Sequence, residues 1–217
     1  MINYYEHPIM KKYLDSDEWN PYRSKHNISL DKSLLFLGPS GAGKTNCLMN
    51  LLSNMNNTFR TVTVYVDNPD EPMYNCLKDQ GCEILSLTQI RPVKDLPKQQ
   101  QLVIFDDWIE LTKKQMLPIE AYATKGRKKL CTMCYLTQDY YSVPTKLRNQ
   151  IRYLLILKIT NKKNLKMICS GLPIDCDVKT LVKVINYCTE EQFNICIVDK
   201  TDAKKCLRKN FDEFIEL

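Results

Sequence analysis

Histidine is nearly missing from this 217-residue chain, which has only His7 and His26, and glycine is scarce, with 6 in all. The two histidines stand far in sequence from the one Cys-x-x-Cys pair, Cys131 and Cys134, and no second pair follows at zinc spacing. A structural metal site and a redox motif are therefore both set aside. Long apolar runs are absent as well. Leu154-Leu155-Ile156-Leu157 is far short of the roughly 18 to 20 residues that span a bilayer, so no integral membrane segment is expected. Met1 to Glu6 has neither the basic opening nor the apolar stretch of a secretory signal, and the expectation is that the protein stays where it is made. Repeats, low-complexity tracts and Gly/Ser linkers are lacking, which removes any argument for an internal boundary. Residues 1–30, polar and aromatic, read as an N-terminal arm, and residues 31–217 as one domain of ordinary size.

Cysteine, by contrast, is plentiful, with 10 residues scattered through apolar patterns. Reduced, mostly buried thiols fit that distribution better than a disulfide scaffold. In the same compartment the sequons Asn27-Ile28-Ser29 and Asn56-Asn57-Thr58 are chance matches. With 44% hydrophobic and 26% charged residues the chain can bury a core and is not biased toward disorder or a fibre. Its net charge of +6 is uneven: residues 1–120 carry 13 Lys/Arg against 15 Asp/Glu, and residues 121–217 carry 18 against 10. An excess of that kind in one half points to a polyanionic partner or to solvated lysines on loops, two readings that charge alone does not separate.

Apolar periodicity gives the class of fold. Ser33 to Leu37 is an apolar run entering a glycine cluster, and Leu48, Leu51, Leu52 and Met55 then recur at helical spacing. This is a buried strand, a loop and an amphipathic helix. Thr61 to Val66 is β-branched and aromatic and stops at the turn-rich Asp67-Asn68-Pro69-Asp70-Glu71-Pro72. Further strands are expected at Glu83 to Leu87, Leu102 to Phe105, Thr132 to Thr137, Tyr153 to Lys158 and Phe193 to Val198. Another helix is expected on Val178, Leu181, Val182 and Ile185. Continuous apolar strands alternating with helix-length segments predict an α/β fold, with a central, mostly parallel sheet covered by helices on both faces.

Gly38-Pro39-Ser40-Gly41-Ala42-Gly43-Lys44-Thr45 fits the P-loop pattern in full, between a predicted strand and a predicted helix. Its glycines let backbone N–H groups turn onto phosphate oxygens, and the helix that follows, through Asn46, adds its positive end. Lys44 would reach the β- and γ-phosphates of ATP, and the Thr45 hydroxyl would ligate Mg²⁺. Gln101-Leu102-Val103-Ile104-Phe105-Asp106-Asp107 ends an apolar strand on two carboxylates, the Walker B arrangement. Asp106 would hold Mg²⁺, and Asp107 would orient or deprotonate the attacking water; capping of the next helix is the plain alternative. Cys131-Thr132-Met133-Cys134-Tyr135-Leu136-Thr137-Gln138 reads as a strand that ends on a glutamine, where an amide can touch the γ-phosphate and the water.

Taken together, the P-loop, Phe105-Asp106-Asp107, Gly126-Arg127, Tyr135-Leu136-Thr137-Gln138-Asp139-Tyr140-Tyr141, Val143-Pro144, Leu147-Arg148-Asn149 and Arg208-Lys209-Asn210-Phe211 resemble the poxvirus-type genome-packaging ATPases of large DNA viruses and virophages. These are a branch of the FtsK/HerA superfamily of P-loop NTPases. The likeness runs from about Ser33 to the C-terminus. It implies an additional-strand (RecA/FtsK-like) ATPase domain over 31–217, assembled as a homo-oligomeric ring, hexamer or pentamer, that pumps double-stranded viral DNA into preformed capsids. Capsid or procapsid proteins are the implied partners. The implied location is the cytoplasm of the infected host cell, in the virus factory or in association with the virion. In that family the strand-end glutamine, here Gln138, is the sensor, and an arginine at the Gly-Arg step, here Arg127, would reach a neighbouring subunit's nucleotide. The chain departs from the family pattern at Lys128, where histidine is usual, so Arg148 and Arg152 compete with Arg127. It departs again at Asp107, where many relatives carry Glu. Arg127-Lys128-Lys129, Lys146, Arg148 and Lys162-Lys163 are expected in loops where a ring could present them to a duplex. Tyr140 and Tyr141 are expected to pack beneath a loop rather than touch nucleic acid.

Two other classes stand beside this reading. The P-loop also resembles that of guanylate kinases, which leaves a small-molecule phosphotransferase of nucleoside monophosphate kinase type. Against it, the stretch after Thr61 is acidic and proline-rich where an arginine-rich acceptor site would be needed. A nucleic-acid-binding or scaffold protein with a vestigial ATP site is the other, and intact Lys44, Thr45, Asp106 and Asp107 speak against it.

Overall fold

The computed structural model describes residues 20–106, 111–200 and 206–216. Along the chain lie α1 (Arg23–His26), β1 (Ser33–Leu37), α2 (Lys44–Asn54), β2 (Thr61–Val66), α3 (Pro72–Asp79), β3 (Glu83–Leu85), β4 (Gln101–Asp106) and α4 (Lys113–Lys125). They are followed by β5 (Cys131–Thr137), α5 (Thr145–Arg148), β6 (Ile151–Ile156), α6 (Lys162–Ser170), α7 (Val178–Cys188), β7 (Cys196–Asp199), β8 (Leu207–Lys209) and β9 (Glu213–Ile215). All nine strands form one sheet in the order β3-β2-β4-β5-β1-β6-β7-β8-β9. β1 to β6 are parallel, and β7, β8 and β9 extend the sheet antiparallel from β6.

The continuous apolar strands have the cause the sequence suggests, since both faces of the sheet are covered. Every residue of β1, β4 and β5 is buried. Alternate strand residues feed two separate cores. On one face Leu35, Val103, Tyr135 and Leu154 pack with Ile119 of α4, Ile168 of α6 and Ile185 of α7. On the other, Leu34, Ile104, Leu136 and Leu155 pack with Leu48 and Leu51 of α2 and Leu77 of α3. Truncating a leucine or isoleucine of either core to alanine should cost about 2 to 5 kcal/mol. The same alternation sends Cys131 and Cys134, three apart on a strand, into opposite cores, so they cannot share a ligand or a bond.

Several expected strands shift. The strand from Glu83 stops at Leu85 because the Ser86 and Gln89 side chains form a capping box that turns the chain into a 3₁₀ helix. The strand expected from Phe193 starts at Cys196, since Phe193 adopts a left-handed backbone with φ of 70°. The one expected from Tyr153 begins two residues earlier, at Ile151. Residues 20–30, counted with the N-terminal arm, are packed on the body: Ile28 and Leu30 belong to the core that holds α2 and α3.

That segment closes a polar seam against β6, β8 and the turn after β8. His26 is buried, and its Nδ1 accepts the Ile28 N–H at 3.1 Å, so Nε2 carries the proton and donates to Asn20 Oδ1 at 3.1 Å. The Arg208 guanidinium, also buried, donates to the Asn27 carbonyl at 2.8 Å, and Asn27 Nδ2 donates to the Phe211 carbonyl at 3.0 Å. Tyr153 Oη accepts the Ser29 N–H at 3.1 Å. Burial, with Arg208 and Arg23 nearby, pushes the His26 imidazole down to about 4 from its ordinary value.

Candidate nucleotide-binding site

The strand order decides what meets at the carboxyl-terminal edge of the parallel strands. β5 lies between β1 and β4, so the P-loop after β1, Gln138 after β5 and Asp106 at the end of β4 open side by side. The first P-loop residue is tied to β5 directly, because the Gly38 N–H donates to the Thr137 carbonyl at 3.2 Å. A side chain at Gly38 would collide with Leu157, whose Cβ lies 2.9 Å from the position an added Cβ would take. Gly43 caps α2 with φ of 96°, a left-handed conformation that glycine adopts without strain, and gives the helix no side-chain cap. The first turn of α2, Lys44, Thr45 and Asn46, therefore presents its positive end to a cleft of about 650 Å³.

Within the cleft stand Ser40, Gly41, Gly43, Lys44, Thr45 and Asn46 from the P-loop, Asp106 and Gln138. Lys44 is 8% exposed, and its ammonium donates to the Gly38 carbonyl at 3.1 Å and the Pro39 carbonyl at 3.3 Å. The loop thus holds its cation over its own arch. Ala42 closes that arch, its N–H donating to the Pro39 carbonyl at 3.2 Å. Asp106 is only 1% exposed, and the buried Tyr74 hydroxyl of α3 donates to its Oδ2 at 2.5 Å. A carboxylate that deep requires partners, and one comes from a residue the sequence reading assigned to no site. The turn after β2 brings Asp67, Asn68 and Glu71 to the same cleft, because Val66 pairs with Asp106 across β2 and β4. Gln115 of α4 reaches it from a capping box with Thr112. Residue patterns mark 67–72 as a turn; only the strand order shows that it faces the phosphate loop.

Asp107 lies outside the described residues. Arg127, exposed in the 3₁₀ turn Gly126–Lys129, precedes β5, so it sits at the opposite end of that strand from Gln138. Seven extended residues put roughly 20 Å between the two ends. Arg127 therefore does not meet the cleft of its own chain. Arg148 lies against the rings of Tyr140 and Tyr141, 5.2 and 5.1 Å from their centroids. Arg152 pairs with Asp199 at 3.1 Å. Tyr140 is buried, and Tyr141, more open, donates its hydroxyl to the Met167 carbonyl at 2.8 Å.

The basic residues expected around one duplex path are divided. Lys128 and Lys129 precede β5 at the amino-terminal edge, whereas Lys162 and Lys163 open α6, after the carboxyl-terminal end of β6. Lys129 donates to the Leu96 carbonyl at 2.7 Å and the Lys94 carbonyl at 3.0 Å, and Lys146 pairs with Glu120 at 2.9 Å. Lys162 and Lys163 are exposed.

A parallel sheet with a P-loop on one strand, a buried acidic strand end two places away and a glutamine-tipped strand between them defines a P-loop NTPase of the additional-strand class. Residues 84–212 match the family of the poxvirus A32 protein, and the chain belongs to that family. The match begins after the P-loop, so the phosphate cradle stands as separate support. The fold resembles that of the DNA-packaging ATPase B204 from Sulfolobus turreted icosahedral virus, with a TM-score of 0.60 and 13% identity over 84% of this chain and 98% of that one. It also resembles the genome-packaging NTPase B204 from Sulfolobus turreted icosahedral virus 2 in complex with ATP-γS, at 0.59 and 12% over 84% and 98%. A third neighbour is the pCW3 conjugation coupling protein TcpA, at 0.58 and 10% over 93% and 68%. No match is found among curated proteins.

Proposed function

We propose that this chain is an ATP-driven motor that moves viral double-stranded DNA into preformed capsids. The observation that carries the reading is the convergence of Lys44, Asp106 and Gln138 on one cleft beside the open first turn of α2, in a member of the poxvirus A32 family. ATP is the substrate, with its phosphates on the amides of Gly41 to Asn46. On binding, Lys44 exchanges its bonds to the loop carbonyls for phosphate oxygens. Gln138 orients the attacking water, and Asp107 accepts its proton. The donors present fit a magnesium ion, since the Thr45 hydroxyl and the buried Asp106 carboxylate are hard oxygen ligands in the same cleft. Thr45 and Asp106 would hold that ion, which neutralises phosphate charge when bound.

Hydrolysis on this reading needs a homo-oligomeric ring. Arg127 is exposed and remote from its own cleft, which suits an arginine given to a neighbouring subunit, an interaction worth about 10³- to 10⁵-fold in rate. Capsid proteins are the partners that receive the DNA, and the infected cell's cytoplasm or the virion is the place of action. Phosphate release from ATP, measured with and without long duplex DNA and with GMP as an alternative acceptor, tests the reading. Stimulation by duplex is expected. Phosphate transfer to GMP, or turnover indifferent to DNA, would overturn it.

A further inference from the structure

The loop between α7 and β7 holds an aromatic side chain that neither the cores nor the cleft accounts for. β7 lies on the far side of β1 from Asp106, and its first residue, Cys196, pairs with Ile156 at the carboxyl-terminal end of β6. The loop therefore passes beside the P-loop, opposite the acidic strand end. There Phe193 is 49% exposed, and its Cδ1 lies 2.6 Å from the position that a Cβ on Gly43 would occupy. Its φ of 70° is strained for an aromatic residue.

Side-chain hydrogen bonds fix the loop in that shape. Asn194 donates to Glu191 at 3.0 Å, Asn210 donates to Asn194 Oδ1 at 3.2 Å, and Asn210 Oδ1 accepts the Ile195 N–H at 3.2 Å. Lys158 donates to the Glu190 carbonyl at 3.1 Å from the end of β6. A relaxed backbone and a buried ring would both be more favourable for a phenylalanine with only a packing role. Here the loop holds strain to keep a ring half in solvent, against Gly43, the glycine that leads into the first turn of α2. A nucleotide whose phosphates sit on the first turn of α2 extends its sugar and base away from them across a flank of the P-loop, and a flat apolar face on that flank is what a base stacks on.

We propose that Phe193 is the base-stacking residue of the nucleotide site, with the purine of ATP lying on its exposed face. This deepens the ATPase reading and rests on it. Binding of ATP, ADP and inorganic tripolyphosphate to the full chain, by calorimetry, separates the two. Phe193→Ala should weaken ATP and ADP about tenfold and leave tripolyphosphate unchanged, because only the base-dependent part of affinity is lost. Phe193→Leu keeps apolar bulk against Gly43 without an aromatic face and should show the same selective loss, whereas Phe193→Tyr should retain ATP affinity. Unchanged ATP affinity in Phe193→Leu overturns the proposal, as does an equal loss for tripolyphosphate, which would make the ring a prop for Gly43. A change of oligomeric state at unaltered ATP affinity would make it a subunit contact and overturn it too. If the unsubstituted protein binds neither ATP nor tripolyphosphate, the nucleotide site itself fails, and this proposal with it.

Discussion

Polar side chains are treated in opposite ways at the cleft and at the seam. In the cleft, Lys44 leans on two loop carbonyls and Asp106 takes a tyrosine hydroxyl, while the helix end beside them carries no side-chain cap. In the seam, His26, Asn20, Asn27 and Arg208 are spent on one another and on the backbone. The difference is one of purpose: groups that must receive a ligand keep partners they can exchange, and groups that tie a segment down do not. Substitutions in the cleft should therefore alter binding and turnover more than folding, and perturbations of the seam should do the reverse.

The sharpest break in that contrast is Lys44→Ala. It removes the one side-chain cation of the phosphate cradle and should abolish ATP binding or nearly so, with little change in melting temperature. Near-normal nucleotide affinity, by calorimetry, would mean that the cradle is not a nucleotide site.

Next, Asp107→Asn should bind Mg-ATP almost normally and hydrolyse it about 10² to 10⁴ times more slowly, the range for a lost general base. Asp106→Asn should instead raise the magnesium concentration needed for binding. Identical defects in the two variants, in metal titrations and single-turnover rates, would show that the carboxylates do not divide the work.

For the seam, the expected effect is on stability. His26 titrates near 4 in the folded protein and near its ordinary 6.5 when unfolded, so the unfolded chain binds the extra proton between those values. Stability is full above about pH 6.5 and falls as pH drops toward 4, by about 3 kcal/mol from this group. Urea unfolding at several pH values checks it. His26→Gln should flatten the fall over that window, and an unchanged slope would mean that the imidazole is not what couples this segment to pH.

The smallest effect sits outside both regions. Lys162 and Lys163 are exposed at the start of α6, whereas Lys129 is committed to backbone carbonyls. Replacing Lys162 and Lys163 with alanine should flatten the salt dependence of duplex binding by about 0.9 per lost phosphate contact. Lys129→Ala should affect packing more than the slope. Equal slopes in the wild type and the Lys162/Lys163 variant would place the duplex elsewhere.

How much of this was legible in sequence follows from the range of the interactions. The P-loop, the acidic strand end and most parallel strands are local patterns, and Ser33–Leu37 and Thr61–Val66 form strands where periodicity puts them. Tyr74 looks like core, because Tyr74 and Leu77 share the apolar face of a short helix. That its hydroxyl meets Asp106 depends on β2 lying beside β4, which periodicity does not encode. β8 and β9, three residues each, are too short to show an alternating pattern. The basic residues read as one group because they are near in sequence, yet the chain between Lys129 and Lys162 runs through the parallel strands β5 and β6, entering at one edge of the sheet and leaving at the other.

The cysteines carry a practical consequence for anyone measuring these effects. All ten thiols are free, and seven are buried, with Cys47 and Cys131 pushed up to about 12 by burial and so inert while the fold holds. Unfolding returns them to an ordinary acidity near 8.5 and lets them meet at random. In air, a chain held unfolded at high temperature can form disulfides over minutes to hours, and a melting curve would then carry that chemistry along with the unfolding equilibrium. Unfolding measurements on this protein therefore call for a reductant.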